Sequence, residues 1–182
     1  LRALAFQIGS EVSYNELAQL VGVDKNTISS YIDILIQAYV VFKLPSFSRN
    51  LRNEIKTNQK IYFYDTGVRN MLIGDFNPLE VRQDKGRLWE NFLIAERIKQ
   101  IEYQGSLAKP YFWRTVQQQE IDYVEDNSGK IYGFEIKLNS KAKVKLPKKF
   151  METYNTEIQI VNRDNFREFL NYKIVSKSVS KK

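Results

Sequence analysis

Cysteine and histidine are both missing from the 182 residues. Their absence excludes disulfides, thiolate nucleophiles, imidazole bases, the usual zinc sites and any Ser-His-Asp triad within this chain. No GxxxxGK[ST] run occurs, so an ATP site of the P-loop kind is also excluded from these residues. Long apolar runs are lacking: Ala38 to Phe42 is among the longest, far too short to cross a bilayer, and no membrane partner is expected. The lack of cysteine fits a cytoplasmic location. Methionine does not open the chain; Leu1 does, which predicts a piece cut from a longer protein. What remains for chemistry is carboxylate, lysine, tyrosine, or a metal held by oxygen.

The composition, 43% hydrophobic and 27% charged, is that of a soluble globular protein with room for a core. Its net charge of +7 is unevenly placed. Residues 1 to 80 hold eight basic and eight acidic side chains, whereas six lysines fall within Lys137–Lys149 and four within Lys173–Lys182. Such an excess points to a nucleic-acid partner. A solvated lysine face and a disordered basic tail over 175–182 explain it equally well.

In the first half, Ser13-Tyr14-Asn15-Glu16 has the form of a capping box opening a helix through Leu17 and Leu20. Val21-Gly22-Val23 makes a turn, and Asp24 caps a second helix with Ile28, Ile32, Leu35, Ile36 and Tyr39 at helical spacing. Strand formers follow at Val40–Leu44 and Lys60–Tyr64, with a polar stretch between. Helix, turn, helix, strand, wing, strand is the winged-helix order. The face available for reading bases is Asn26, Ser29, Ser30, Asp33 and Gln37, with Lys25 and Thr27 at its start, and Arg49 and Arg52 in the wing for phosphates. Neutral charge over this half and Asp33 on that face favour protein packing as the competing use. Asp65 caps a short helix from Val68, and residues 75–84 connect to the second half.

Residues 85–174 read as helix, three strands, helix, strand. Helix Arg87–Ile101 carries Leu88, Phe92, Ala95 and Ile98 as a stripe, and Asp164 caps the last helix. A turn at Asn127-Ser128-Gly129-Lys130 joins two strands bearing paired charges. Strand alternation puts Glu120 and Asp122 on one face, opposite Ile121 and Tyr123. It puts Glu135 and Lys137 together, opposite Phe134, Ile136 and Leu138. A turn centred between Ser128 and Gly129 sets Asp122 across from Glu135 and Glu120 across from Lys137. Facing carboxylates destabilise a sheet by about 0.2–1 kcal/mol unless a cation sits between them. Mg²⁺ or Mn²⁺ suits one or two carboxylates and keeps its waters, one of which can attack a phosphodiester, with Lys137 neutralising the developing charge. A plain Glu120–Lys137 ion pair, with Asp122 and Glu135 solvated, is the competing reading.

Glu120-Ile-Asp122, then Phe134-Glu135-Ile-Lys137, resembles the D…(E/Q)-x-K signature of the PD-(D/E)XK nuclease superfamily, with Ile121 where that superfamily has proline. Trp89-Glu90-Asn91-Phe92 fits its first helix. More widely, the helix-turn-helix, Tyr62-Phe63-Tyr64-Asp65-Thr66-Gly67, Trp89-Glu90-Asn91-Phe92 and Tyr111-Phe112-Trp113-Arg114 resemble the C-terminal domain of unknown function of prokaryotic AAA-type ATPases. The resemblance implies a mixed α/β (α+β) chain: a winged helix-turn-helix over 1–74, then a restriction-endonuclease-like αβββαβ domain. It implies Asp122 and Glu135 as metal ligands, Lys137 as catalytic lysine and Glu90 as an accessory carboxylate. It also implies an upstream ATPase module that alone would bind ATP. Lys141 and Lys143, with Lys145, follow the site where a nucleic-acid backbone could pass, and Arg114 is placed to bridge Glu120 or Asp122. Three functions compete: an accessory region coupling that ATPase to a DNA or protein partner, a Mg²⁺- or Mn²⁺-dependent nuclease, and a winged-helix transcription regulator.

Overall fold

The computed structural model describes residues 1–48 and 59–171. Arg49 and Arg52 lie outside the described residues, as does the basic tail. Helices α1 (Arg2–Phe6), α2 (Tyr14–Val21) and α3 (Lys25–Gln37) open the chain, followed by strands β1 (Val41–Pro45) and β2 (Gln59–Phe63) and helix α4 (Thr66–Ile73). A 3₁₀ turn at Leu79–Val81 leads to α5 (Lys85–Tyr103), β3 (Lys109–Arg114), β4 (Glu120–Asn127), β5 (Lys130–Ile136), α6 (Lys148–Tyr154), β6 (Ile158–Val161) and α7 (Phe166–Asn171). The architecture is mixed α/β with two sheets, and the second half runs helix, three strands, helix, strand. Among the described residues no helix is long and apolar enough to cross a membrane.

The local signals act through the expected groups. The Ser13 hydroxyl accepts from the Glu16 amide at 3.3 Å, and Asp24 accepts from Asn26 and Thr27. Asp65 accepts from Gly67 and Val68. Each cap satisfies amides that a first helical turn leaves unpaired. Asp164 does not cap the last helix: its own amide donates to Asn162 Oδ1, and the helix begins at Phe166. Helix α6 begins at Lys148, after Pro147, so Lys141, Lys143 and Lys145 precede it in an irregular segment.

The β1–β2 hairpin is apolar on both faces, and strand alternation decides what each face meets. Val41, Ile61 and Phe63 join α1, α2 and α3 in one core. Phe42, Leu44 and Tyr62 join α5, the second sheet and α7 in another. The same alternation sends Lys43 towards α3, where it pairs with Asp33 at 2.8 Å, and Lys60 towards the second half. The two halves therefore share a core across the connection at 75–84. That connection is itself fastened by Arg82, which holds Asp84 through two hydrogen bonds of 2.9 and 2.8 Å, while Arg69 also reaches Asp84.

The second sheet has the order β3-β4-β5-β6, antiparallel except for the parallel β5–β6 pair. Helices α5 and α7 cover one face, with Ile94, Ile98 and Phe169 in one core with Tyr123 and Phe134 of the sheet. Helix α6 covers the other, with Phe150 packed among Trp113, Ile121, Val124 and Ile131. Each fully buried ring of this kind contributes about 1.5–3 kcal/mol. Gly133 is required by that packing, because a Cβ there would stand 2.9 Å from the Phe150 ring. The β4–β5 register follows the expected turn, with Asn127 facing Lys130 and Tyr123 facing Phe134.

One expectation of strand geometry fails. Ile121 and Tyr123 do not share a face: Ile121 packs with Val124 under α6, and Tyr123 packs under α5. Tyr111 faces Val124 while Trp113 faces Ile121, so Asp122 and Tyr123 together stand opposite Phe112. This two-against-one arrangement is a β-bulge, which inverts the alternation on its far side and re-aims side chains.

Candidate functional site

The bulge lies at Asp122. Its Oδ2 accepts from the Ile136 amide at 2.8 Å and lies 3.4 Å from the Lys137 ammonium. Lys137 also contacts Glu135 Oε1 at 2.6 Å. The other oxygen, Glu135 Oε2, is buried with no hydrogen-bond partner among the described residues. Asp122, Glu135 and Lys137 are thus gathered at the open end of the hairpin. Burial, and then the neighbouring Asp122 charge, pushes the Glu135 carboxyl above its usual range. Burial works against the Lys137 ammonium, but Asp122 and Glu135 outweigh it and hold the proton more firmly than usual.

Helix α5 brings Glu90 into the same neighbourhood by a specific local fit. Asn91, fully buried, accepts from the Phe63 amide at 2.9 Å and donates to the Phe63 carbonyl at 2.8 Å. It thereby takes the place of a neighbouring strand along β2. One residue earlier on the helix, Glu90 Oε1 accepts from the Tyr62 hydroxyl at 2.5 Å. Gly9 closes the loop above it with φ +70; a Cβ at Gly9 would stand 3.5 Å from Glu90 Oε1. Burial, opposed by Lys60 and reinforced by Asp122, pushes the Glu90 carboxyl up to about 7. Burial also keeps the Tyr62 phenol protonated, and the Glu90 and Asp122 charges add to it.

Lys60 and Tyr62 were not singled out as site residues by sequence reasoning, and Glu120 was read there only as an ion-pair partner for Lys137 or Arg114. The Lys60 ammonium is buried, paired with Glu120 and 3.5 Å from Glu90 Oε1, above the Phe112 ring. Its pKa is raised although Glu90 is also raised. Burial works against the Lys60 ammonium, but the Glu90 charge and then the Glu120 carboxylate outweigh it and hold its proton more firmly than usual. The expected Glu120–Lys137 pair does not form, because β2 supplies Glu120 with a nearer cation. Arg114 does reach Glu120, with Nε at 3.6 Å, and donates to Glu11 at 3.1 Å. The available signal for Lys60 was its shared parity with Tyr62 on a strand buried on both faces.

Fully ionised, Glu11, Glu90, Glu120, Asp122 and Glu135 face Lys60, Arg114 and Lys137, five negative charges against three positive. Among the described residues carboxylates therefore outnumber cations at this end of the hairpin. Among the described residues no group of three or more carboxylates is placed to hold a metal by itself. Mg²⁺ needs only one or two carboxylates, so Asp122 and the unpartnered Glu135 oxygen fit such an ion.

The other candidates lie elsewhere. Lys25, Asn26 and Ser30 are exposed, and Ser29 is half-buried, on α3, which packs on α2 and β1. Ser30 donates to the Asn26 carbonyl, and Asp33 is engaged by Lys43. Lys141 and Lys143 are exposed in the segment after β5.

Residues 1–79 match the family described as Domain of unknown function (DUF8612), and residues 85–176 match Domain of unknown function (DUF4143). Uncharacterized proteins of Mycobacterium tuberculosis (strain ATCC 25618 / H37Rv) and Mycobacterium bovis (strain ATCC BAA-935 / AF2122/97) are each 35% identical over 142 residues. The match covers 75% of this chain and 31% of each relative, so the chain spans about a third of their length. No solved structure matches it. The model of the second domain covers residues 85–176, more than half of the sequence, and with it the hairpin that carries Asp122, Glu135 and Lys137: the chain belongs to the DUF4143 family.

Proposed function

We propose that this chain is the accessory region of a longer, ATPase-bearing protein, and that its second half carries a Mg²⁺- or Mn²⁺-dependent phosphodiesterase site of the PD-(D/E)XK kind. The observation that carries the reading is the buried, unpartnered Glu135 oxygen beside Asp122 and Lys137. A lone pair left without a donor inside a protein costs about 1–3 kcal/mol, a cost that a bound cation removes. Asp122 and Glu135 would hold the ion, which when bound supplies Lewis-acid polarisation of a phosphoryl oxygen and an activated water. Lys137 neutralises charge that develops on the phosphate. Glu90, with its carboxyl near 7, can hold or release a proton at neutral pH. Exposed Lys141 and Lys143 suit a passing backbone, and the order α2, turn, α3, β1, β2 supports a winged helix whose Lys25, Asn26, Ser29 and Ser30 face a nucleic acid.

The test is cleavage of single- and double-stranded DNA and RNA with Mg²⁺ or Mn²⁺, with calorimetric titration of Mn²⁺. Metal-dependent cleavage that is lost in Asp122→Asn and Lys137→Ala is the expected result. A wild type that neither cleaves nor takes up Mn²⁺ overturns the site.

A second reading, an accessory region that binds without cleaving, is favoured by the contacts of Lys137 with both carboxylates, which satisfy part of the site internally. It predicts a gel shift that weakens with salt and no cleavage under any metal.

A further inference from the structure

Lysine is rarely buried without a partner, and replacing a buried ion pair by apolar residues is often neutral or stabilising. Lys60 is 2% exposed and holds two carboxylates from two different elements, Glu90 of α5 and Glu120 of β4. Glu120 stands two residues before Asp122, on the far side of the bulge that sets where the Asp122 carboxylate goes. Lys60 itself arrives from the first half of the chain, on the face of β2 that also delivers the Tyr62 hydroxyl to Glu90. Glu11, bridged to Lys60 through the backbone, binds Arg114 at the same strand end. The first half therefore does more than sit beside the hairpin: its ammonium ties the start of β4 to α5.

We propose that Lys60 is a positioning residue for the Asp122–Glu135 site, so that the catalytic centre is complete only when the β1–β2 hairpin of the first half is seated against it. This rests on the phosphodiesterase reading above. Lys60 acts through Glu120 and Glu90: it anchors the bulged strand end and offsets negative charge there. A site held in this way loses rate when its carboxylates shift, since a displacement of about 1 Å can cost on the order of 100-fold.

Charge and position make opposite demands, which separates this role from a structural one. In Lys60→Met the cluster loses a positive charge and gains none, so its negative excess is at least as large as in the wild type. Mn²⁺ should then bind at least as tightly as in wild type by calorimetry, while kcat for metal-dependent cleavage falls about tenfold or more and KM stays within about twofold. The double variant Lys60→Met with Glu120→Gln removes one charge of each sign, so that Glu120 is not left charged without Lys60 while Glu90 keeps the Tyr62 hydroxyl as its donor. It is expected to fold, as read by circular dichroism, to bind Mn²⁺ within about twofold of wild type, and still to show the lowered kcat. It decides the matter if the single variant does not fold. Wild-type kcat in the folded double variant, or Mn²⁺ affinity and kcat falling together in folded Lys60→Met, overturns the role of Lys60 while leaving the phosphodiesterase site standing. A wild type that binds no Mn²⁺ and cleaves nothing overturns both.

Discussion

The β4–β5 hairpin carries charges at both ends, and the two ends are built differently. Near the turn, Glu125 is fully buried and takes two hydrogen bonds from Arg97 of α5, at 2.6 and 2.9 Å; Arg97 also donates to the Leu170 carbonyl. Both Glu125 oxygens are occupied. At the open end Asp122, Glu135 and Lys137 are joined by ion pairs as well, yet among the described residues one Glu135 oxygen has no donor and carboxylates outnumber cations. The same residue types on the same two strands thus make a closed pair that holds the sheet to α5, and an open group that has capacity for a ligand. Satisfaction of each polar atom, more than the mere presence of charge, separates a structural cluster from a functional one.

The comparison breaks first at the closed end. Arg97→Met strands the Glu125 carboxylate and should cost about 3–5 kcal/mol in urea unfolding; a loss below about 1 kcal/mol would mean that the closed pair is not holding the sheet. At the open end Asp122→Asn should lower metal-dependent cleavage about 100-fold, roughly 2.7 kcal/mol in barrier. Its folding stability should stay level or rise, because one charge of an unbalanced group is removed while an acceptor for the Ile136 amide is kept. A marked fall in stability would place Asp122 with the closed cluster.

Proton affinity sharpens the contrast. In the closed cluster at Asp84, hydrogen bonds from Arg82 and Arg69 hold the carboxyl at about 2, below its usual 3.8. That pair of contacts stabilises the fold above about pH 4, and its contribution is lost as pH falls towards 2. Asp84→Asn should therefore cost about 1 kcal/mol at pH 7, once solvent screening of this partly exposed carboxylate is allowed for, and less at pH 2 by acid-titrated unfolding. Glu90, in the open group, is displaced the other way, from 4.5 to about 7. The folded state then binds a proton more tightly than the unfolded chain, so stability declines as pH rises from about 4.5 to 7. Glu90→Gln should flatten that decline; a slope unchanged in the variant would assign it to another group.

Much of the local structure was legible because it depends on neighbours in sequence. Ser13, Asp24 and Asp65 cap helices from two or three residues away, and the turn at Ser128-Gly129 fixes which residues of β4 and β5 face one another. Asp122, Glu135 and Lys137 could be brought together from that register alone. Ile121 could not be placed, since the bulge arises from the pairing of β4 with β3 rather than from the hairpin turn. The helical stripe on α5 was only partly legible: Asn91 and Arg97 are buried there as polar side chains because distant partners, Phe63 and Glu125, satisfy them.

By itself, then, the sequence determined the chemistry open to this protein: carboxylates and lysines without thiol or imidazole, on two strands whose register one tight turn sets. Tertiary structure alone decided which of those charges are balanced. Lys60 lies 60 positions before Glu120. Its burial beside that residue and Glu90 follows from a hairpin sandwiched between two cores, and contacts of that range are set by how whole elements pack rather than by any local pattern.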